Sequence, residues 1–214
     1  MFSFKKIKNI FRVIPLLSKS NESFVKLTRI RNIESLYEKY SSKKMDLNKS
    51  TSLDIGCGTT PRNPFDAETQ FGVDIREDLA RNIKSVDLTL HPIPFGDCEF
   101  DYITAFDFIE HVPRVVYAPD CRFPFVQLMN EVWRTLKKDG IFFSHTPVYP
   151  LRTAFGDPTH VNFITEETFL YFDDQKNLAS MYGFTGAFKV LEQVRTDSHL
   201  ISVLQKVETR SLPQ

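Results

Sequence analysis

Cysteine is scarce in this chain. Its 214 residues hold three, Cys57, Cys98 and Cys121, too few and too scattered for a disulfide framework or a zinc motif of paired cysteines. That fits a reduced, cytoplasmic setting. Long apolar runs are missing as well: no stretch approaches the roughly 18–20 residues of a membrane span. The N-terminus is basic but has no uninterrupted apolar core and no small-residue cleavage site, so no signal peptide is expected. Repeats and low-complexity tracts are absent too, which sets aside solenoids and biased linkers. Net charge is also lacking, with 27 basic residues against 27 acidic ones. The balance is uneven, however. Residues 1–31 carry eight basic residues against the single Glu22, a net +7, which leaves −7 for the remainder. An acidic body is a poor match to a nucleic-acid backbone, which rewards clustered Lys and Arg; no nucleic-acid substrate is expected.

What is present is apolar surface. The chain is 42% hydrophobic and has 20 Phe. A single domain of this size buries about 70% of its unfolded surface and needs no crosslink to fold. Near the start, Ile7, Ile10, Phe11 and Ile14 recur at helical spacing between Lys5, Lys6, Lys8 and Arg12, and Pro15 ends the pattern. So short a helix is marginal alone. It is expected to dock on a membrane surface, on a partner, or on the acidic body. A second helix is predicted over residues 32–43. The chain then divides into an N-terminal basic, amphipathic helical extension (1–47) and a main domain (48–210).

From Thr51 short apolar runs alternate with amphipathic stretches, the pattern of a parallel sheet with crossover helices. Strands are predicted at Thr51–Ile55, Phe71–Ile75, Lys84–Leu88, Phe100–Phe106 and Gly140–Thr146. Helices are predicted at Glu77–Ile83, at Pro124–Lys138 with Gly140 as its stop, and from Glu166 with Thr165 as its cap. The first crossover contains Pro61 and Pro64, so a loop or shortened turn is expected there. Two late runs, Phe188–Val194 and Leu200–Val207, lie too close together for a helical crossover and read as antiparallel neighbours. The fold class is therefore α/β: a doubly wound, mostly parallel seven-stranded sheet with an antiparallel last strand.

The segment Leu53-Asp54-Ile55-Gly56-Cys57-Gly58-Thr59-Thr60 ends a strand and turns through two glycines. In open α/β sheets such a turn lies at the ligand crevice. The segment resembles the first motif of class I S-adenosylmethionine-dependent methyltransferases. Gly72-Val73-Asp74-Ile75, Val86-Asp87-Leu88, Phe100-Asp101-Tyr102-Ile103 with Glu110-His111-Val112, and Leu136-Lys137-Lys138-Asp139-Gly140 resemble the family's later segments, in order and over residues 51–207. The likeness is greatest to its small-molecule branch. It implies S-adenosylmethionine as cofactor, with Asp74 accepting from both ribose hydroxyls and Asp87 meeting the adenine. The implied cofactor set is Asp54, Gly56, Cys57, Gly58, Asp74, Ile75, Asp87, Leu88 and Phe106. Cys57 also reads as a small buried filler, and Asp87 as the cap of a turn. Thr60 stands where a third glycine often follows, and Pro61 bars the Gly-x-Gly-x-x-Gly of a nicotinamide site.

For the reaction itself, Asp107, Glu110 and His111 follow the fourth strand. His145 ends the fifth, and Tyr149, Asp157 and His160 lie in the long polar segment after it. Gly156-Asp157-Pro158-Thr159-His160-Val161-Asn162-Phe163 resembles a segment that lies over the acceptor pocket in one branch of the family. His111 or His160 is expected to act as base for an acceptor hydroxyl, with Asp157 orienting its partner; bracing of the loop is the plainer alternative. No histidine pair shows a tight ligand spacing, so no metal is expected. The expected activity is methyl transfer to a small polar acceptor, a sugar or glycan hydroxyl or a small metabolite. The alternative is a methyltransferase-fold scaffold without catalysis, against which Asp54, Gly56, Gly58 and Asp74 are all in place.

Overall fold

The computed structural model describes residues 27–209. The helix expected within the first fifteen residues, and its membrane or partner contact, lie outside them. A seven-stranded sheet orders the chain as β3-β2-β1-β4-β5-β7-β6. The strands are β1 (Thr51–Ile55), β2 (Thr69–Asp74), β3 (Ile83–Ser85), β4 (Phe100–Phe106), β5 (Leu136–Pro147), β6 (Phe188–Arg195) and β7 (His199–Lys206). Six run parallel, and β7, between β5 and β6, is antiparallel to both. The doubly wound, mostly parallel fold expected from the sequence is the one observed.

Both faces of the central strands are covered, which is why they read as near-continuous apolar runs. Leu53, Ile55, Ile103, Ala105 and Phe142 turn to one face, against Phe125, Leu128, Met129 and Val132 of helix α2 (Pro124–Thr135). Tyr102, Ile141, Phe143, Ile201 and Val203 turn to the other. That face is closed by Leu36 of helix α1 (Glu34–Lys39) and by the fully buried Phe65, whose ring stacks on Tyr102 at 4.8 Å.

Helix is sparser than expected, for local reasons. The first crossover carries none, as Pro61 and Pro64 require. The helix expected at Glu77–Ile83 shrinks to a 3-10 turn, Leu79–Arg81, ended by Asn82 in the left-handed conformation (φ 56°). Strand β3 then starts at Ile83 and stops at Ser85, well before Leu88. Helix α2 ends at Thr135, not Lys138. The carbonyls of Arg134 and Thr135 accept the N–H groups of Cys98 and Glu99, 2.9 Å each, and Lys206 Nζ donates to Leu136 O at 2.6 Å. With those carbonyls taken by Cys98, Glu99 and Lys206, Leu136 turns extended, and Lys137, Lys138 and Gly140 belong to β5. Gly140 is therefore no helix stop. The helix expected after Thr165 is a 3-10 turn at Phe169–Phe172. Thr168 Oγ1 accepts the Thr165 N–H at 3.0 Å while Thr168 N–H donates to Thr165 O at 3.1 Å, a local turn that competes with helix. A four-residue helix α3 (Thr153–Gly156) precedes it. Among the described residues no helix is long and apolar enough to cross a membrane.

Candidate active site

The glycine loop leaves β1 at the carboxyl edge of the sheet. Gly56 and Cys57 donate their N–H groups to Val73 O at 2.9 and 3.2 Å, and Gly58 N–H donates to Asp74 Oδ2 at 2.9 Å. The loop is thereby tied to the end of β2 twice, once by backbone and once by the carboxylate expected at the ribose. Gly56 and Gly58 both have positive φ, 67° and 62°, the region that favours glycine. Phe108, which sequence reasoning missed, covers Gly56. Val86 N–H donates to Asp74 O at 2.8 Å, which brings the segment carrying Asp87 to the end of β2. Asp87 Oδ1 also accepts the Thr89 N–H at 2.9 Å, as a turn cap does. Ile75, just past β2, is 71% exposed, whereas Leu88 is packed into the core. Cys57 Sγ and the Pro61 ring fill the space that a side chain on Gly72 would need. Burial pushes the Cys57 thiol up to about 12, so it packs as a small apolar group.

Asp54 faces inward from β1. Its Oδ1 accepts from Thr104 Oγ1 at 2.7 Å and its Oδ2 from Arg62 N–H at 2.8 Å. Both oxygens hold protein, so this acid braces the loop that carries Arg62. Burial outweighs those hydrogen bonds and lifts its pKa from 3.8 to about 6. Stability tied to the neutral carboxyl is therefore full below the unfolded value and is lost as pH rises through about 6. Asn cannot ionise. The cost of Asp54→Asn, measured by urea unfolding, should be greatest near pH 4 and shrink by up to about 3 kcal/mol by pH 8. A cost that stays flat or grows with pH would contradict this.

Beyond the loop, two clusters line the carboxyl ends of β4 and β5. The first joins Asp107, His145 and His199. His199 Nε2 donates to Asp107 Oδ1 at 2.9 Å, and His199 Nδ1 meets Ser198 Oγ at 2.7 Å. The rings of His145 and His199 stack at 4.2 Å, 12° from parallel. Burial, with His199 adjacent, lowers His145 to about 4, so its ring is neutral. Burial acts to raise Asp107, but the His199 hydrogen bond and nearby positive charge hold it below its ordinary value. Arg62 lies over the Phe106 ring at 4.5 Å on this side. His199 was not foreseen. The signal lay in the antiparallel reading of the last strand: the first residue of a reversed strand sits at the same edge as the last residues of β4 and β5.

The second cluster joins Glu110, His111 and His160. Here the expected residues do come together, although 48 positions separate His111 from Thr159. The long segment is laced to the turn after β4. Val161 and Asn162 N–H groups donate to Glu110 O at 2.8 and 2.9 Å, Asn162 Nδ2 donates to Ile109 O at 3.2 Å, and Arg114 Nε donates to Asn162 Oδ1 at 2.6 Å. Asp157 Oδ1 accepts from Thr159 N–H at 2.8 Å and from its hydroxyl at 2.6 Å. Since that hydroxyl proton points at Asp157, the 3.0 Å contact of Thr159 Oγ1 with His111 Nδ1 has the ring donating. Asp157 thus orients His111 through Thr159. His160 Nδ1 donates to Ala154 O at 3.2 Å. Glu110 is buried, its Oε2 accepting from Thr146 Oγ1 at 2.7 Å, and burial raises its pKa.

A 480 Å³ cavity lies beside this cluster, lined by Arg114, Phe123, Phe163, Glu167, Tyr171 and Tyr182 among others. Arg114 and Phe163 connect it to the Asn162 segment.

Residues 53–144 match the family model described as a methyltransferase domain. Among solved structures, the [4+2]-cyclase SpnF is similar at 18% identity over 92% of this chain and 93% of that one, TM-score 0.54. The CurJ carbon methyltransferase is similar at 19% identity over 82% of this chain and 54% of that one, TM-score 0.51. The PH0226 protein from Pyrococcus horikoshii OT3 is similar at 18% identity over 88% and 99%, TM-score 0.50. At such identities the likeness is one of fold. No curated protein matches the chain significantly. The matched segment holds Asp54, both loop glycines, Asp74 and the Glu110-His111 turn. The matched segment and the shared fold are those of a methyltransferase domain, which implies an enzyme with S-adenosylmethionine as its cofactor.

Proposed function

We propose that the chain transfers the methyl group of S-adenosylmethionine to a hydroxyl of a small polar acceptor, a sugar, glycan or small metabolite. The observation that carries this reading is the Glu110–His111–His160 cluster at the sheet edge beside the cofactor loop. His111 N–H donates to Phe108 O at 3.0 Å, and the Phe108 ring covers Gly56, so the histidine turn and the glycine loop share a wall. Both rings give their Nδ1–H to protein acceptors, which leaves the Nε2 lone pairs for chemistry.

The cofactor supplies a methyl group already activated on a sulfonium. The Gly56–Gly58 loop, Asp74 and Asp87 would hold the nucleoside end. The acceptor oxygen forms its bond to the methyl carbon as the sulfur–carbon bond breaks, the electron pair leaving on sulfur. Alignment can contribute about 7–11 kcal/mol. The hydroxyl proton is lost at the histidine cluster, and a positioned base adds about 10²–10⁴-fold. An acceptor screen on the purified enzyme, read by S-adenosylhomocysteine release, tests the reading. On a true hydroxyl acceptor, His111→Gln or His160→Gln should lower turnover by at least about 10²-fold with cofactor affinity retained. Near-normal turnover in both variants would overturn it.

A further inference from the structure

The Nε2 lone pairs of the second cluster, open to a proton and with Asp157 Oδ2 4.0 Å from that of His160, are equally open to a metal ion. Glu110, His111 and His160 each offer one ligand atom, and the three atoms lie within 4.8 Å of one another. We propose that Glu110, His111 and His160 form a two-histidine, one-carboxylate site for a divalent transition ion such as Zn²⁺. The proposal rests on reading this cluster as the place where the acceptor is activated.

Three features support it. The first is tautomer control. His160 Nδ1 faces a carbonyl, which can only accept, and His111 Nδ1 faces a hydroxyl already committed to Asp157. Each ring is thus held by an outer hydrogen bond with Nε2 deprotonated, the arrangement that orients metal-ligating histidines. The second is the carboxylate. Glu110 Oε2 is held by Thr146, while Oε1 is buried and has no hydrogen-bond partner among the described residues. A buried carboxylate oxygen left unpaired is costly, and a cation would satisfy it. The third is ring orientation. A nitrogen lone pair lies in the plane of its ring, so one ion must lie in the planes of both histidines. The rings of His111 and His160 stand at 76°, centroids 4.9 Å apart, and their planes cross.

The Asp107–His145–His199 cluster offers the same donor types at similar spacing, yet its stacked rings, 12° from parallel, have no shared in-plane point nearby. It is therefore the internal control. Bonds of about 2.0–2.2 Å hold neighbouring donors roughly 3–3.5 Å apart, so the second cluster needs a closure on the order of 1 Å. Imidazole with carboxylate selects zinc, manganese or iron over calcium.

Ion binding would replace the histidine base of the metal-free cluster: the acceptor hydroxyl would coordinate the ion and release its proton to bulk water, since the histidine lone pairs are then taken. The alkoxide would then attack the methyl carbon, with sulfur as leaving group. The test is a calorimetric titration of Zn²⁺ into full-length, EDTA-treated and dialysed protein, with Co²⁺ absorption as a second readout. One equivalent should bind in the micromolar range or tighter. Glu110→Gln and His160→Gln should each weaken binding at least about tenfold while keeping the far-ultraviolet dichroism of the wild type; His199→Gln should leave it unchanged. No binding by the wild type, or binding lost only in His199→Gln, would overturn the site. Stoichiometric Zn²⁺ without methylation of any hydroxyl would support the site and remove the acceptor reading. Hydroxyl methylation by protein that binds no Zn²⁺ would overturn the site and keep that reading.

Discussion

Gly56→Val should unfold a large fraction of this protein's stability and abolish cofactor binding. A Cβ at Gly56 would fall 2.3 Å from Phe108 Cδ2, 2.5 Å from Cγ and 2.8 Å from Cβ. Because the collision reaches the root of the Phe108 side chain, rotating the ring tip cannot relieve it. The backbone adds a second penalty, since φ is 67° and an L-residue in that region costs about 1–2 kcal/mol, more when branched at Cβ. Overpacking adds about 1–3 kcal/mol. Against a total of about 5–15 kcal/mol for a domain, the sum is large. Gly58→Val is the matched control: φ is 62°, but nothing lies within 4 Å of its Cβ position, so the backbone penalty applies without the Phe108 collision. Urea unfolding of both variants decides the matter. If Gly56→Val were no worse than Gly58→Val, Phe108 would not be the tight lid on the glycine loop described above.

Asp74→Ala should weaken S-adenosylmethionine binding by about 10²–10⁴-fold. The carboxylate stands at the end of β2, with Oδ2 holding the Gly58 N–H at 2.9 Å and Oδ1 about 3.3 Å from the Arg76 N–H. It can fix the loop and still offer acceptors to a diol. Two charge-assisted hydrogen bonds at about 1.5–3 kcal/mol each give that range. Asp74→Asn keeps one acceptor and should fall between. Calorimetry on variants whose dichroism matches the wild type measures it. A loss under tenfold in Asp74→Ala would remove this residue from the cofactor site.

The sheet was legible in the sequence because parallel strands buried on both faces leave short, unbroken apolar runs. The bounds of β1 and β4 can be read from Thr51–Ile55 and Phe100–Phe106 alone. The helices were less legible because their ends depend on partners far along the chain. Nothing near Thr135 signals that the N–H groups of Cys98 and Glu99 will take the last carbonyls of α2. The glycine loop was legible as a tight turn, since two glycines beside an acid at a strand end leave few alternatives. Its lid was not, because Phe108 reads as one more apolar residue. The second histidine cluster was legible as candidates but not as a cluster. Asp157, Thr159 and His160 are brought to His111 by hydrogen bonds of Val161, Asn162 and Arg114 to elements far along the chain. The expectation of no metal came from linear spacing, and linear spacing says nothing about donors drawn from separate elements.

The central claim is that the glycine loop and Asp74 hold S-adenosylmethionine. The most direct measurement is a calorimetric titration of S-adenosylmethionine and S-adenosylhomocysteine into the full-length protein, with NADH beside them. Binding of both sulfur ligands at micromolar concentration, and none of NADH, is the expected result. No binding of either in protein shown to be folded, or binding of NADH in their place, would contradict it.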